Sequence, residues 1–190
     1  MRETVRVFVA VEVSTEVRAS AGDLIGRLSL AAADVKWVAP ENMHLTLKFL
    51  GDVHLRETAR ICDAVAKATE NVDPFVLEIG GVGAFPNVAR PRTIWLGGGD
   101  GEEELVRLQH EIEKQLGKLG FRPEGRRFAT HLTIGRVRRG GETAAKLGEI
   151  ITNEDNFQAG KMPIAEVVVF SSRLEPTGPI YEPLGRAPLA

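Results

Sequence analysis

At 190 residues the chain is long enough to bury a hydrophobic core without disulfides or structural metals. Its single cysteine, Cys62, excludes an intramolecular disulfide and is typical of a reducing compartment, so we expect a cytoplasmic protein. The net charge of −2 argues against a broad basic surface that coats nucleic acid, and the apolar runs are too short to span a membrane.

Apolar periodicity, capping residues and turn residues predict strands and helices that interleave along the chain. In chain order we predict a strand at 4–12, a helix capped at Ser14 or Thr15 and ending near residue 30, strands at 35–38 and 43–51, a helix at 55–70, strands at 75–83 and 92–97, a helix at 102–119, a strand at 129–137, a helix near 142–151, a β-rich run at 164–174 and a short strand at 180–184. Short turns between strands favour antiparallel pairing, so the predicted class is α+β. No low-complexity linker divides the chain, and we expect residues 1–190 to form a single domain.

Two nearly identical tetrapeptides are the most informative feature of the chain, His44-Leu45-Thr46-Leu47 and His131-Leu132-Thr133-Ile134. Along an alternating strand the His and Thr share one face, and the aliphatic residues share the other. We therefore predict two strands whose His/Thr faces meet in one cleft. His54 and His110 lack this context and are predicted to lie at the surface.

Two imidazoles and two hydroxyls in one cleft favour acid–base chemistry at a phosphodiester. One imidazole would take a proton from the attacking water, and the other would protonate the leaving oxygen. The hydroxyls of Thr46 and Thr133 would bind the non-bridging oxygens, where negative charge develops. Two histidines alone make an incomplete zinc site, and no Cys, Asp or Glu stands at ligand spacing beside either motif, so no metal is predicted.

A group of arginines flanks the second motif, which indicates either a local attraction for phosphate or an ordinary solvated face. They are Arg122, Arg126, Arg127, Arg136, Arg138 and Arg139. Arg136 is the closest candidate for a forked contact with phosphate. Strict alternation places Arg136 on the face opposite His131, but Gly135 permits a bulge that would reset its direction.

Two other patterns carry less weight. Ser171-Ser172 lacks the Gly-x-Ser-x-Gly elbow of a nucleophilic serine and is predicted to lie in or beside a strand. The glycine-rich run at 97–101 lacks the Gly-Lys-Ser/Thr ending of a phosphate loop and leads into three acidic residues. We therefore predict a turn there.

With its two motifs and their flanking sequence, the chain resembles the 2H phosphoesterase superfamily. More narrowly, it is similar to the RNA 2′,3′-cyclic phosphodiesterases, once called 2′-5′ RNA ligases. The match covers nearly the whole chain, and the segments that carry it are 6–11, 35–38, 41–51, 130–137 and 175–181.

The resemblance implies a bilobal α+β fold, in which two pseudo-symmetric lobes with antiparallel sheets flank a central cleft. It implies hydrolysis of a 2′,3′-cyclic phosphate at an RNA 3′ end to a 2′-phosphate, without metal or other cofactor. His44, Thr46, His131 and Thr133 match the catalytic residues of the family, and Arg136 matches a phosphate-contacting arginine. We assign His44 as the proton donor and His131 as the proton acceptor, although the near-symmetry of the motifs leaves the reverse assignment open.

Three aromatic residues, Phe8, Phe49 and Tyr181, are candidates for a surface on which a base stacks. A core position is the stronger expectation for them, because alternation puts Phe49 on the apolar back of its strand. The expected partners are RNA ends or oligonucleotides with a 2′,3′-cyclic phosphate. We expect a monomer with no membrane partner.

Two alternatives to hydrolysis remain open. RNA ligation uses a 5′-hydroxyl in place of water and needs the same residues, so the sequence does not separate the two. A non-catalytic RNA-end binder is an alternative of a different class. The intact histidine pair argues against it, because Arg or Lys would suffice for binding alone.

Overall fold

The computed structural model describes residues 3–190 and contains two antiparallel sheets with helices packed against them. The strands are β1 (Thr4–Glu12), β2 (Val35–Trp37), β3 (His44–His54), β4 (Phe75–Phe85), β5 (Thr93–Gly98), β6 (His131–Val137), β7 (Gln158–Ile164), β8 (Glu166–Glu175) and β9 (Gly178–Pro188). The helices are α1 (Thr15–Leu28), α2 (Thr58–Thr69), α3 (Glu102–Gly117) and α4 (Glu142–Asn153), with single 3-10 turns at Ser29–Ala31, Pro40–Asn42 and Leu55–Glu57.

Each sheet carries one of the two motif strands. The first lobe is built on the sheet β3-β1-β8-β9 and the second lobe on the sheet β2-β6-β5-β4-β7. In the first sheet the motif strand β3 pairs antiparallel with the inner strand β1, and in the second sheet β6 pairs antiparallel with the inner strand β5. The predicted α+β class and the two-lobed antiparallel architecture are confirmed.

Three of the helices begin where the sequence predicts, whereas α2 begins at Thr58, after the 3-10 turn at Leu55–Glu57, rather than at residue 55. Ser14 caps α1, and its side chain accepts a hydrogen bond from the Val17 amide at 3.3 Å. One apolar stripe of α3 is fully buried, and it consists of Leu105, Leu108, Ile112 and Leu116. These spacings of three and four residues keep the stripe on one side of the helix.

One strand was absent from the prediction, and one was too short. β7 contains Gly160 and Pro163, which interrupt the apolar pattern that indicates a strand. Proline is tolerated there because β7 lies at the edge of its sheet. The predicted run at 164–174 is instead the end of β7 followed by β8, and the final strand runs over Gly178–Pro188 rather than 180–184.

A short crossing between the lobes brings the two motifs together. β2 belongs to the second lobe, and only residues 38–43 separate it from β3 in the first lobe. Within this crossing the Val38 amide donates a hydrogen bond to the Ile134 carbonyl, in the second motif, at 2.9 Å. Strands β3 and β6 consequently lie in contact.

A buried ion pair ties β3 to the segment that leads into β6. Lys48 is 2% exposed, and its Nζ lies 2.9 and 2.8 Å from the two carboxylate oxygens of Glu113 on α3. The same Nζ donates to the Arg122 carbonyl at 2.9 Å. Gln109 donates from Nε2 to the Leu47 carbonyl at 3.4 Å and to Glu113 at 3.3 Å, so the network holds the backbone of β3 as well.

We expect Lys48→Ala to lower the free energy of unfolding by about 3–5 kcal/mol, because it leaves a largely buried Glu113 carboxylate without its cation. Chemical denaturation of parent and variant measures the loss. Lys114→Ala is the matched control, because Lys114 is exposed and pairs with Glu111 on the helix surface, where such pairs contribute at most about 1 kcal/mol. A Lys48 variant as stable as the control would contradict the role of the buried pair.

Candidate active site

The two motif strands present the same alternation. On β3, His44 and Thr46 are half-buried, whereas Leu45 and Leu47 are buried in the core. On β6, the half-buried and buried residues alternate in the same way over 131–134. Each strand therefore has an apolar back and a face that exposes one imidazole and one hydroxyl.

Both imidazoles are held by the same hydrogen bond. The Nδ1–H of His44 donates to the Asn42 carbonyl at 2.7 Å, and the Nδ1–H of His131 donates to the Ala129 carbonyl at 2.7 Å. A carbonyl oxygen only accepts, so this bond places the proton on Nδ1 in both neutral rings. The Nε2 atom of each ring is thereby left to exchange a proton with a substrate.

Aromatic rings cover His44 in the first lobe. The Phe8 ring lies 4.8 Å from the imidazole, centroid to centroid, and the Tyr181 ring meets it edge-on at 5.1 Å. Burial lowers the pKa of His44, and the hydrogen bond to the Asn42 carbonyl only partly opposes this. The neutral form of this imidazole is therefore favoured in the free protein.

A β-bulge in β6 turns Arg136 toward the histidine face. Thr133 is opposite Trp95 of β5 and Gly135 is opposite Ile94, so Ile134 has no partner in the register. After this extra residue the alternation restarts, and Arg136 is exposed while Val137 is buried. Strict alternation was therefore the wrong guide, and Arg136 lies on the same face as His131.

β3 contains the same bulge, and it overturns the expected core position of Phe49. Ala10 of β1 is opposite Thr46 and Val9 is opposite Lys48, which leaves Leu47 without a partner. Phe49 consequently joins the His44 face and is 62% exposed. Its ring lies 6.1 Å from that of Phe8, centroid to centroid.

The other two aromatic candidates lie deeper in the first lobe. Phe8 is buried in a small cluster with Phe170, and Tyr181 is half-buried against it. Burial raises the pKa of the Tyr181 phenol, and the positive charge of Arg136 opposes that rise. The charge of Arg136, in the second lobe, thus acts on the residue that covers His44 in the first lobe.

Two aromatic residues of the second lobe were not among the sequence candidates. Phe85 meets the His131 ring edge-on at 5.4 Å, and Trp95 lies 5.2 Å from Phe85. Gly83 makes room for Trp95, because a Cβ on that glycine would lie 2.3 Å from the indole. Glycines inside a strand often mark the close approach of another group. In the sequence, the glycines of β4 were therefore the signal that could have pointed to a large side chain packed against this strand.

The serine, the glycine-rich run and the other two histidines that the sequence drew attention to lie in strands, in a turn or on a helix surface. Ser171 is buried in β8 and donates to the Glu182 carbonyl at 3.3 Å. Gly97 and Gly98 of the glycine-rich run end β5, so the predicted turn is confined to residues 99–101. It ends at Gly101 with a φ of 89°, where a Cβ would lie 2.1 Å from the Val76 carbonyl oxygen. His110 is exposed on α3, as predicted, and His54 is half-buried at the end of β3.

Apart from Arg136, the arginines around the second motif do not converge on the cleft. Arg138 and Arg139 face Asp34, at 3.9 and 3.7 Å. Arg126 and Arg127 line a hollow along α3, and the Arg122 carbonyl accepts from Lys48. Within residues 3–190, no group of three or more His, Cys, Asp and Glu side chains is placed to hold a metal ion. No helix of the described chain has the length and apolar character needed to cross a membrane.

We expect His44 to titrate below the ordinary histidine value of about 6.5. Tyr181→Ala uncovers the ring and should raise this pKa, whereas Tyr181→Phe keeps the cover and should leave it low. A pH titration of the histidine Cε1–H signals by NMR measures both. Because folding favours neutral His44, its contribution to stability is complete above about pH 6.5 and declines as the pH falls below it. An unchanged pKa in Tyr181→Ala would contradict desolvation by this ring.

Residues 11–95 and 99–181 match the family described as LigT like Phosphoesterase. A protein of Methanothermobacter thermautotrophicus named RNA 2′,3′-cyclic phosphodiesterase is 40% identical over 177 residues, which cover 93% of this chain and 95% of that protein. An Archaeoglobus fulgidus protein of the same name is 39% identical over 179 residues, covering 94% of this chain and 97% of its own. The crystal structure of TT0787 from Thermus thermophilus shares the fold, with a TM-score of 0.81 over 97% of both chains and 24% identity. As its motifs predicted, this chain belongs to the LigT-like phosphoesterases of the 2H superfamily.

Proposed function

We propose that this protein hydrolyses the 2′,3′-cyclic phosphate at RNA 3′ ends to a 2′-phosphate, by acid–base catalysis with two histidines and no metal ion. The observation that carries the proposal is the matched pair of imidazoles, each with its Nδ1–H bound to a backbone carbonyl and its Nε2 free. The name of the relatives at 40% and 39% identity supports the substrate and favours hydrolysis over ligation.

In the proposed reaction, Nε2 of His131 takes a proton from water as the water oxygen forms a bond to phosphorus. The bond from phosphorus to the 3′ oxygen breaks, and Nε2–H of His44 gives its proton to that oxygen. The phosphate stays on the 2′ oxygen. The two histidines have then exchanged protonation states, and proton exchange with solvent restores them.

Burial of His44 supports its assignment as the acid. A lowered pKa makes the imidazolium a stronger proton donor, and the negative charge of a bound phosphate favours its protonated form. The hydrogen bond of His131 to Ala129 is exposed, whereas that of His44 to Asn42 is partly buried, so His131 lies nearer to water. These surroundings favour His131 as the base.

The neighbouring polar groups would stabilise the phosphate during transfer. Thr46 and Thr133 expose their hydroxyls on the histidine faces, where they would donate to the non-bridging oxygens. Arg136 would add a forked, charge-assisted contact. In this proposal the terminal base stacks on exposed Phe49, while Phe8 and Tyr181 chiefly shape the wall around His44.

The proposal also covers the domain organisation, the cellular location and the substrates of the enzyme. One continuous hydrophobic core contains residues of both sheets, which supports residues 1–190 as one domain. We propose that this domain acts as a monomer. The lone free Cys62 suits a cytoplasmic enzyme. The substrates would be RNA ends or oligonucleotides with a 2′,3′-cyclic phosphate.

We expect His44→Ala and His131→Ala each to lower kcat on a cyclic-phosphate end by about two to four orders of magnitude. A substrate with sulfur in place of the 3′ oxygen separates the two roles, because a thiolate leaves without being protonated. His44→Ala should recover most of its rate on that substrate, whereas His131→Ala should stay impaired.

His110→Ala is the matched control, because His110 is an exposed histidine on α3 and not on a motif strand. Recovery of the His131 variant instead would reverse the assignment of acid and base. A 3′-phosphate product in the phosphorus NMR spectrum would overturn the proposed regiochemistry. Loss of activity in EDTA, with rescue by a divalent metal, would overturn the two-histidine mechanism.

We expect Arg136→Lys to lower kcat/KM by about tenfold or more, because an ammonium group cannot make the forked contact with two phosphate oxygens. Steady-state kinetics on a cyclic-phosphate end measure the loss. Arg138→Lys is the control, because Arg138 faces Asp34 rather than the histidines. Equal rates for Arg136→Lys and the parent would remove Arg136 from the phosphate site.

A further inference from the structure

A second cation lies directly beside Arg136. Lys36 of β2 is the register partner of Arg136 of β6, and both side chains are exposed. Directly opposite residues in an antiparallel pair project to the same face of the sheet. Lys36 therefore lies on the face that carries His131 and Thr133.

Neither member of this pair is neutralised by the protein. Within the described residues, neither Lys36 nor Arg136 has a carboxylate within 4.0 Å, whereas the next arginines along the chain, Arg138 and Arg139, share Asp34. The Arg136 guanidinium donates a hydrogen bond to the Thr93 hydroxyl at 3.4 Å. Like charges directly opposite each other destabilise a sheet, so an unneutralised pair on the cleft face fits an external anion.

Two more exposed arginines lie at the same end of the sheet as this pair. A hollow of about 520 Å³ lies between the β4–β5 loop, which supplies Arg90 and Arg92, and the segment after β6, which includes Gly140 and Gly141. Arg90 and Arg92 are exposed, and no described carboxylate pairs with them. The backbone fixes this loop to the site, because the Arg92 amide donates to the carbonyl of Phe85, the residue that touches His131.

We propose that Lys36, Arg90 and Arg92 bind the phosphodiester backbone on the 5′ side of the reacting nucleotide, so that the enzyme prefers oligonucleotide ends to cyclic mononucleotides. The inference rests on the proposed function and adds to it a second binding site for the RNA backbone. We call these three cations, Lys36, Arg90 and Arg92, the track. Lys36 stands on the neighbouring strand, about 5 Å from Arg136 across the strand pair. Arg136 can therefore hold the reacting phosphate while the long side chain of Lys36 reaches the next phosphate along the backbone.

This arrangement divides recognition between the lobes. The first lobe exposes Phe49 for a base, and the second lobe exposes cations for the backbone. Phosphate contacts carry no base information, so the track is expected to act on RNA ends of any sequence. A local row of cations also reconciles phosphate binding with a net charge of −2 for the whole chain.

The test compares kcat/KM on a 2′,3′-cyclic mononucleotide with kcat/KM on a short oligonucleotide that ends in the same cyclic nucleotide. We expect the parent to prefer the oligonucleotide. Lys36→Gln should lower the ratio of kcat/KM on the oligonucleotide to kcat/KM on the mononucleotide about tenfold. For the oligonucleotide, the slope of log kcat/KM against the logarithm of the salt concentration should be shallower by about 0.7 in Lys36→Gln than in the parent. This is the change expected when one phosphate contact on a single strand is lost. The double variant Arg90→Gln with Arg92→Gln should lower the ratio as well.

Lys161→Gln is the matched control, because Lys161 is an exposed lysine on β7, at the opposite edge of the same sheet. Equal use of both substrates by the parent would overturn the track while leaving the proposed function intact. An equal loss on both substrates in Lys36→Gln would also overturn it. Hydrolysis of neither substrate by the parent would overturn the proposed function itself, and the track with it.

Discussion

The site depends on one short hydrogen bond that occurs twice, from the Nδ1–H of a histidine to the carbonyl oxygen two residues before it. That bond selects the tautomer, fixes the plane of the ring and leaves Nε2 for proton transfer. It requires the backbone before each motif strand to turn its carbonyl back, and the 3-10 turn at Pro40–Asn42 does so before His44. The flanking rings then set how far each imidazole is removed from water.

The two lobes use the same backbone device for different chemistry. Each motif strand has a bulge at the last residue of its tetrapeptide, and the second residue after it is turned to the histidine face. In the first lobe that residue is Phe49, and in the second it is Arg136. A symmetric scaffold thus carries an asymmetric site, with an apolar surface on one side and a cation on the other. Such asymmetry suits a nucleotide, which has a base at one end and a phosphate at the other.

Most elements of the fold follow from local pattern, and the exceptions have physical causes. Apolar stripes and caps located every helix, because a helix is stabilised by contacts within a few residues. β7 was missed because Gly160 and Pro163 give no strand signal, and only its position at a sheet edge makes them acceptable. The sequence pattern likewise did not predict the burial of Lys48, because its partner Glu113 is remote in sequence.

By itself the sequence determined the paired HxT motifs, their apolar backs, the α+β class and the resemblance to the 2H family. Those features depend on residue identity and on a period of two along each strand. Only the tertiary structure decided that Phe49 and Arg136 face the histidines, that Tyr181 covers His44, and that Lys36 stands opposite Arg136. The physical reason is that a bulge and a register belong to a pair of strands. Where a side chain points after the bulge therefore depends on partners far away in the chain.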